Sequence, residues 1–531
     1  MRQVMKSAAM PTSAAKNLPA PVGGWNARDP IADMPAKDAV FLNNFFPRTS
    51  DVMLRPGSAL AATIPADVEP GSPHNIRSLL SYKAANGAAK IFAGADDGIY
   101  DVTAGGTIAA VSSAATNSEW QSVNISTAGG SFLWCCNGVD KSRYYDGAAW
   151  TVLDGVSTPA LTGVTSANIT NVSLFKSRLF FTVKDSLSFW YLPVNSVAGA
   201  ALEFPLGALF RRGGYLVATD AWTLDGGNGP EDYFAAVTSE GEVAVYTGTD
   251  PSSASAWSLK GIYYIGKPMS KRCLVKVGGD LCLLTVQGLY PLSKSLQSAT
   301  VDRRSAISDK ISRAWVDYTQ NFVGLYGWQP VMFPEATMLL VNVPVLSRHD
   351  INSVYSYQFA MNTQTGAWTR FVGMPAEVWA VHDGKLYFAL HNKVYQAWTG
   401  TDDVGRPIDA TAKSAFVYPT KGSMNHVKLV RPIVTTNASL KLKVGVDTDY
   451  YESESITGSS ITYLQLQSRW DRDQSKWDEA YWSSGASTVA KWRSVFHKPG
   501  YALAVRLRVT TKGINMAWIA TDLVIQRGGM L

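Results

Sequence analysis

Charged side chains are scarce in this chain, with Asp, Glu, Lys and Arg making up 17% of its 531 residues. Disordered chains are charge-rich and poor in apolar groups, so that class is excluded, and an apolar content of 46% agrees. Cysteine is rarer still. Cys135 and Cys136 are adjacent and Cys273 and Cys282 fit no zinc template, so the four read as buried small hydrophobes in a reducing cytoplasm. Six histidines, His74, His349, His382, His391, His426 and His497, are scattered without ligand spacing. No metal and no cofactor is expected. The longest apolar-rich run, Met338–Leu346, is far too short to span a bilayer, and residues 1–24 lack the apolar core of a signal peptide, so neither secretion nor membrane insertion is expected. Phosphate-loop, dinucleotide-binding, His-Glu-x-x-His and Gly-x-Ser-x-Gly patterns are all missing, which removes the commonest enzyme signatures. The net charge of +6 is mild for this length and forms no basic stripe of the kind a dedicated duplex binder carries.

What is abundant is aromatic and turn chemistry: 17 Trp, 23 Tyr and 44 Gly. Aromatic-rich strands joined by glycine turns describe an all-β chain, and the length calls for more than one domain. The stretch 241–293 shows the unit of construction. Glu242–Tyr246, Trp257–Ile265, Cys273–Val277 and Leu281–Thr285 are four short β-patterned runs, separated by Gly-Thr-Asp-Pro at 248–251 and Gly-Gly-Asp at 278–280. Hairpins of this kind recur on both sides, as at Ile91–Tyr100 with its turn at Asp97-Gly98, at roughly forty to fifty residues, the period of propeller blades. The reading is a degenerate β-propeller of about six blades, give or take one.

The expected organisation is a flexible tail over 1–20, an N-terminal docking arm over 21–62, a propeller over 63–400, and a C-terminal antiparallel β-sandwich-like domain over 401–531. Two insertions interrupt the propeller: a Gly- and Ala-rich loop near 194–231, and a segment near 296–350 with a helix at about 304–318, where Ile307, Ile311 and Trp315 recur every four residues. In the last domain Leu440-Lys-Leu-Lys-Val444 and Val505-Arg-Leu-Arg-Val509 alternate apolar and cationic side chains, which predicts one buried and one wet face.

Several residues are candidates for function. Trp25, Arg28, Asp29, Phe45, Phe46 and Arg48 set aromatics among charged groups in a loop-rich arm, the chemistry of a docking surface. Trp470, Trp477 and Trp482 form a second aromatic cluster, suited to stacking or to packing on the C-terminal sheet. Asp447 with Asp449, and Asp471 with Asp473, are paired carboxylates of the kind glycan cleavage needs, although they flank turns.

A set of motifs carries a family resemblance: Glu242-Val-Ala-Val-Tyr246-Thr-Gly-Thr-Asp-Pro251, Lys276-Val-Gly-Gly-Asp-Leu281, Gly288-Leu-Tyr-Pro-Leu-Ser293, Asn26-Ala-Arg-Asp-Pro30, Phe45-Phe-Pro-Arg48, Gly366-Ala-Trp-Thr-Arg-Phe371, Trp477-Asp-Glu-Ala-Tyr-Trp482 and Arg527-Gly-Gly-Met-Leu531. With these the chain resembles the tail nozzle proteins of short-tailed bacteriophages, the tail tubular protein B-like family, related in role to packaged-DNA-stabilisation proteins. The resemblance spans most of the sequence, but a separate tip domain has no counterpart here. It implies a non-enzymatic virion tail protein made in the bacterial host cytoplasm. Six copies would form a ring docked to the portal adaptor, bearing tail fibres or spikes and conducting genomic DNA through its lumen. Lys267, Lys271, Arg272, Arg303 and Arg304 are then the candidate lumen cations. The alternative is a tail-associated propeller that binds or cleaves glycans.

Overall fold

A computed structural model describes residues 13–65, 75–107, 110–113, 115–225, 230–295, 302–346, 354–420, 422–451, 459–463, 487–495 and 498–527. The chain is nearly all β and divides into two units, one built from residues 58–359 and 374–398, the other from 1–57, 360–373 and 399–531.

The first unit is a β-propeller. Six small sheets make its blades, and their inner strands are Ser78–Lys83, Gln121–Thr127, Ile169–Phe175, Leu216–Asp225, Leu274–Val277 and Val378–His382. A further inner strand, Gln329–Phe333, hairpinned with Met338–Leu346, fills the place before the closing blade, and the inner strand of that blade lies beside the first. The ring is sealed by sequence order: Ser58–Thr63, the earliest strand of the unit, pairs antiparallel with Lys393–Ala397, the latest. Closure removes the free sheet edges that invite aggregation. Aromatics fill spaces between blades. Trp134 stacks on Phe181 at 4.6 Å between the second and third blades, and Phe180, Phe234 and Trp257 cluster between the third and fourth.

Both segments expected as insertions also contain strands. In 194–231, Leu202–Pro205 is the outer strand of the third blade and Leu216–Asp225 the inner strand of the fourth. Glycine and alanine diluted the β signal without removing the strands. In 296–350 two single turns, Arg303–Ser305 and Asp309–Ile311, precede an α-helix at Ser312–Phe322, later than expected. Ile311 and Trp315 are buried as the spacing required, and the indole N–H of Trp315 donates to the Thr285 carbonyl at 3.2 Å. Further on, Gln329–Phe333 and Met338–Leu346 form the hairpin already described.

The second unit holds two sheets. One joins Phe45–Pro47, Val52–Leu54, Met516–Arg527, Asn425–Thr436 and Ser487–Ala490; the other joins Ala367–Phe371, Asp38–Asn43, Ile408–Ser414, Leu503–Thr511, Leu440–Thr448 and Ser459–Tyr463. Its sequence boundaries correct the expected domain map. Ser13–Pro19, placed in a flexible tail, is a strand paired with Met516–Arg527 from Ser13↔Gln526 to Pro19↔Ala520. Residues 24–54, expected as a separate arm, are strands of both sheets. Residues 360–373, expected in the propeller, supply Ala367–Phe371. Alternation holds for Leu440, Leu442 and Val444, buried between exposed Lys441 and Lys443. It fails at Arg506, which is buried because Phe416, Ile31, Val40 and Tyr450 pack over Ala502 and Ala504 on what should have been the wet face.

Candidate functional site

The aromatic candidates among the described residues are architectural. Phe45 and Phe46 are buried, Phe46 lies 6.3 Å from Phe371, and Trp25 is buried under the Arg370 guanidinium at 5.7 Å. Aromatics buried inside their own unit present no docking surface, so that expectation is corrected. Arg28 pairs with Asp29 at 2.7 Å and Arg48 with Asp51 at 2.6 Å at the surface. The Asp447 carboxylate lies 3.0 Å from Lys413 Nζ, and Asp449 accepts the backbone N–H groups of Tyr501 and Ala502 at 2.8 and 3.0 Å. Both carboxylates are therefore engaged within their unit. Trp470, Trp477, Trp482, Asp471 and Asp473 lie outside the described residues.

The five lumen candidates do not form one group. Lys267 pairs with Glu240 at 2.7 Å, Arg303 lies in the turn Arg303–Ser305, and Arg304 is exposed with its backbone N–H on Asp302 at 3.0 Å. Lys271 and Arg272 are different: both line the tunnel down the centre of the propeller.

That tunnel is the site. The inner strands enclose a cavity of about 710 Å³ whose wall is mixed, apolar side chains alternating with neutral polar groups that tie blade to blade. Ser173 and Thr219 share a hydroxyl contact at 2.8 Å. Asn124 donates to the Ser81 carbonyl at 2.7 Å. Gln329 both donates to the Trp379 carbonyl (2.9 Å) and accepts its N–H (3.0 Å). The charged residues of the wall are Asp220, Lys271, Arg272 and Lys276. Lys276 Nζ lies 3.1 Å from Asp220. Burial raises the Asp220 carboxyl above its usual range, against the pull of Lys276 and the Ala221 N–H.

Where the inner strands begin, Arg272 crosses the tunnel. It precedes the fifth blade, yet its Nη2 donates to the carbonyls of Arg77 and Trp120, which precede the first and second, at 3.0 Å each. Tyr326 donates its hydroxyl to the same Arg77 carbonyl. The Arg77 side chain lies over the Tyr326 ring at 5.1 Å, with Glu119 at 3.3 Å and Glu377 at 3.8 Å. Burial raises the Glu377 carboxyl, opposed by Arg77 and His391, and also raises the Tyr326 hydroxyl. The charge of Lys271 opposes the burial that pushes the Cys136 thiol up. At the strands' far ends a smaller hollow of about 400 Å³ is lined by Lys176, Asp232, Lys276 and Asp280, with Lys176 paired to Asp232.

Sequence reasoning missed Arg77, Glu119, Tyr326 and Glu377. Their shared signal is position, just ahead of an inner strand, and it becomes readable only once the strands are known.

No protein-family model matches the chain, and no curated protein matches its sequence. Solved structures that are similar include a glycoside hydrolase family 43 arabinoxylan arabinofuranohydrolase from Bacillus subtilis in complex with cellotetraose. It is 10% identical over 88% of this chain and 96% of that one, with a TM-score of 0.25. The WD40 domain of Pan2 from Neurospora crassa is 11% identical over 66% of this chain and 96% of its own, with a TM-score of 0.32.

Proposed function

We propose that this chain is a non-enzymatic building block of a phage tail nozzle, six copies of which stand around a passage for DNA below the portal adaptor. The observation that carries this reading is the use made of the residues behind the family resemblance. Asn26 is a hub: its amide donates to Asp29 and Asp38 at 2.8 Å each, and its carbonyl accepts the N–H groups of Arg28 and Asp29. The Glu242 carboxylate accepts the backbone N–H groups of Arg211 and Arg212, and Asp280 accepts those of Leu281 and Ser293. Trp368 is fully buried, with Gly24 so close that any side chain at position 24 would strike its backbone. The motif residues of this set serve as joints of the scaffold. A subunit that must hold its shape in a ring needs that rigidity, and a heterologous contact that closes makes such a ring. The lumen in this reading lies between copies, because Arg272 crosses the propeller's own tunnel.

The test is electron microscopy of the purified chain, alone and with the adaptor. Closed rings of six in the second sample are expected, and a persistent monomer in both would overturn the reading. A tail-associated glycan-cleaving propeller is favoured by one feature, the approach of Glu119 and Glu377 to Arg77 at the tunnel mouth. Chain cleavage of host surface polysaccharide, lost in Glu377→Gln, would select it.

A further inference from the structure

The geometry points to the propeller tunnel as a binding site for a small molecule bearing a carboxylate or phosphate group, with Lys271 and Arg272 as the groups that receive the anion. The argument begins with space. About 710 Å³ lies within the range of cavities that hold ligands of metabolite size. Polarity comes next: the wall is about half polar and half apolar, so a ligand with a charged group on an organic body matches it better than a wholly apolar one, which would leave the wall's donors and acceptors unmatched. Charge then selects the sign. Asp220, the acidic residue of the wall, is held by Lys276 at 3.1 Å, and the two mouth carboxylates, Glu119 and Glu377, both face Arg77. Lys271 and Arg272 make no ion pair with any carboxylate among the described residues. Arg272 is fixed in place by its two carbonyl acceptors, so the guanidinium is already oriented across the tunnel. Two adjacent cations, one of them held in place, in a partly enclosed cavity bind an oxyanion more strongly than the same pair in open water, because the local dielectric is lower and one partner is ordered beforehand. Access is from the end opposite Arg272, where the second hollow opens beside Lys276.

The test is isothermal titration of the full chain at low ionic strength with inorganic pyrophosphate and, separately, with citrate. Saturable binding at one per chain by either probe is expected, and which probe binds distinguishes a phosphate from a carboxylate ligand. Lys271→Ala is expected to raise Kd tenfold or more, and Lys260→Ala, on the outer strand of the fourth blade, to leave it unchanged. Circular dichroism of each variant checks the fold, and Lys271→Met, which keeps the stem's packing, serves if Lys271→Ala unfolds. No binding by either probe, or undiminished binding in the folded Lys271 variant, overturns the assignment.

Discussion

Lys413 and Arg506 stand directly opposite each other on adjacent antiparallel strands, and both are buried. Like charges at that spacing repel. They are held by Asp447, whose carboxylate lies 3.0 Å from Lys413 Nζ and 3.3 Å from Arg506 Nη1, while Lys413 also donates to the Tyr451 carbonyl at 2.8 Å and sits over Phe416. Asp447→Asn removes the counter-charge and strands the cations. Breaking such a buried arrangement costs about 3–5 kcal/mol. Denaturant unfolding should show that loss. Replacing all three side chains together by Met or Leu should recover most of it, and a triple variant no more stable than the single one would refute this account.

Arg55 is fully buried and makes a two-pronged contact with Asp403 at 3.0 and 2.6 Å, with further donations to Asn44 and to the Pro56 and Val372 carbonyls. A lysine cannot reproduce that planar fork. Arg55→Lys is expected to lose at least about 2 kcal/mol, since each hydrogen bond to a charged group contributes about 1.5–3 kcal/mol. A change in thermal unfolding too small to resolve would show that the fork contributes nothing.

All four cysteines are buried and reduced. Burial pushes the Cys273 thiol up to about 12 and raises the other three as well. Since the thiolate is the reactive form, a thiol-reactive dye at neutral pH should label none of them in the native protein and all four in guanidinium. Fast labelling of the folded chain would contradict the packing.

Asp140 gives a pH dependence with a definite sign. Burial raises its carboxyl, but the N–H and hydroxyl of Thr116, the Asn137 amide and the Asn117 N–H outweigh that and hold it below 3.8. A carboxyl lower in the folded than in the unfolded state adds stability above its unfolded value, and that stability is lost as pH falls through the folded value. The difference in denaturation midpoint between wild type and Asp140→Asn should therefore be greatest at neutral pH and shrink below about 4. A gap that stays constant into acid would rule the mechanism out.

Much of the fold could be read from local pattern, because blade hairpins are local. The turn at Asp97-Gly98 and the buried face of Leu440, Leu442 and Val444 follow from two-residue periodicity and turn chemistry. What could not be read depends on distant partners. Nothing near Val52 and Met53 announces that they pair with Trp518 and Ala517, and nothing near Trp368 announces that its strand leaves the propeller. Arg506 was misplaced because alternation assigns a face but not what covers it. For the tunnel, Lys271 and Arg272 were visible as cations, whereas Arg77 and Trp120, which receive Arg272, lie some 150 to 195 positions away.

The closing strand has a consequence for biosynthesis. One edge of Met516–Arg527 receives two pieces of the beginning of the chain, Val52 and Met53 opposite Trp518 and Ala517, and Ser13–Pro19 opposite residues 520–526. Those pieces leave the ribosome well before Met516–Arg527 and must wait for more than 450 further residues before their partner exists. The propeller between them can seal itself once Lys393–Ala397 has emerged, so the chain is finished from its middle outward. A nascent product cut short before Met516 would carry a sealed ring while Ser13–Pro19 and Val52–Leu54 still lacked the strand they share.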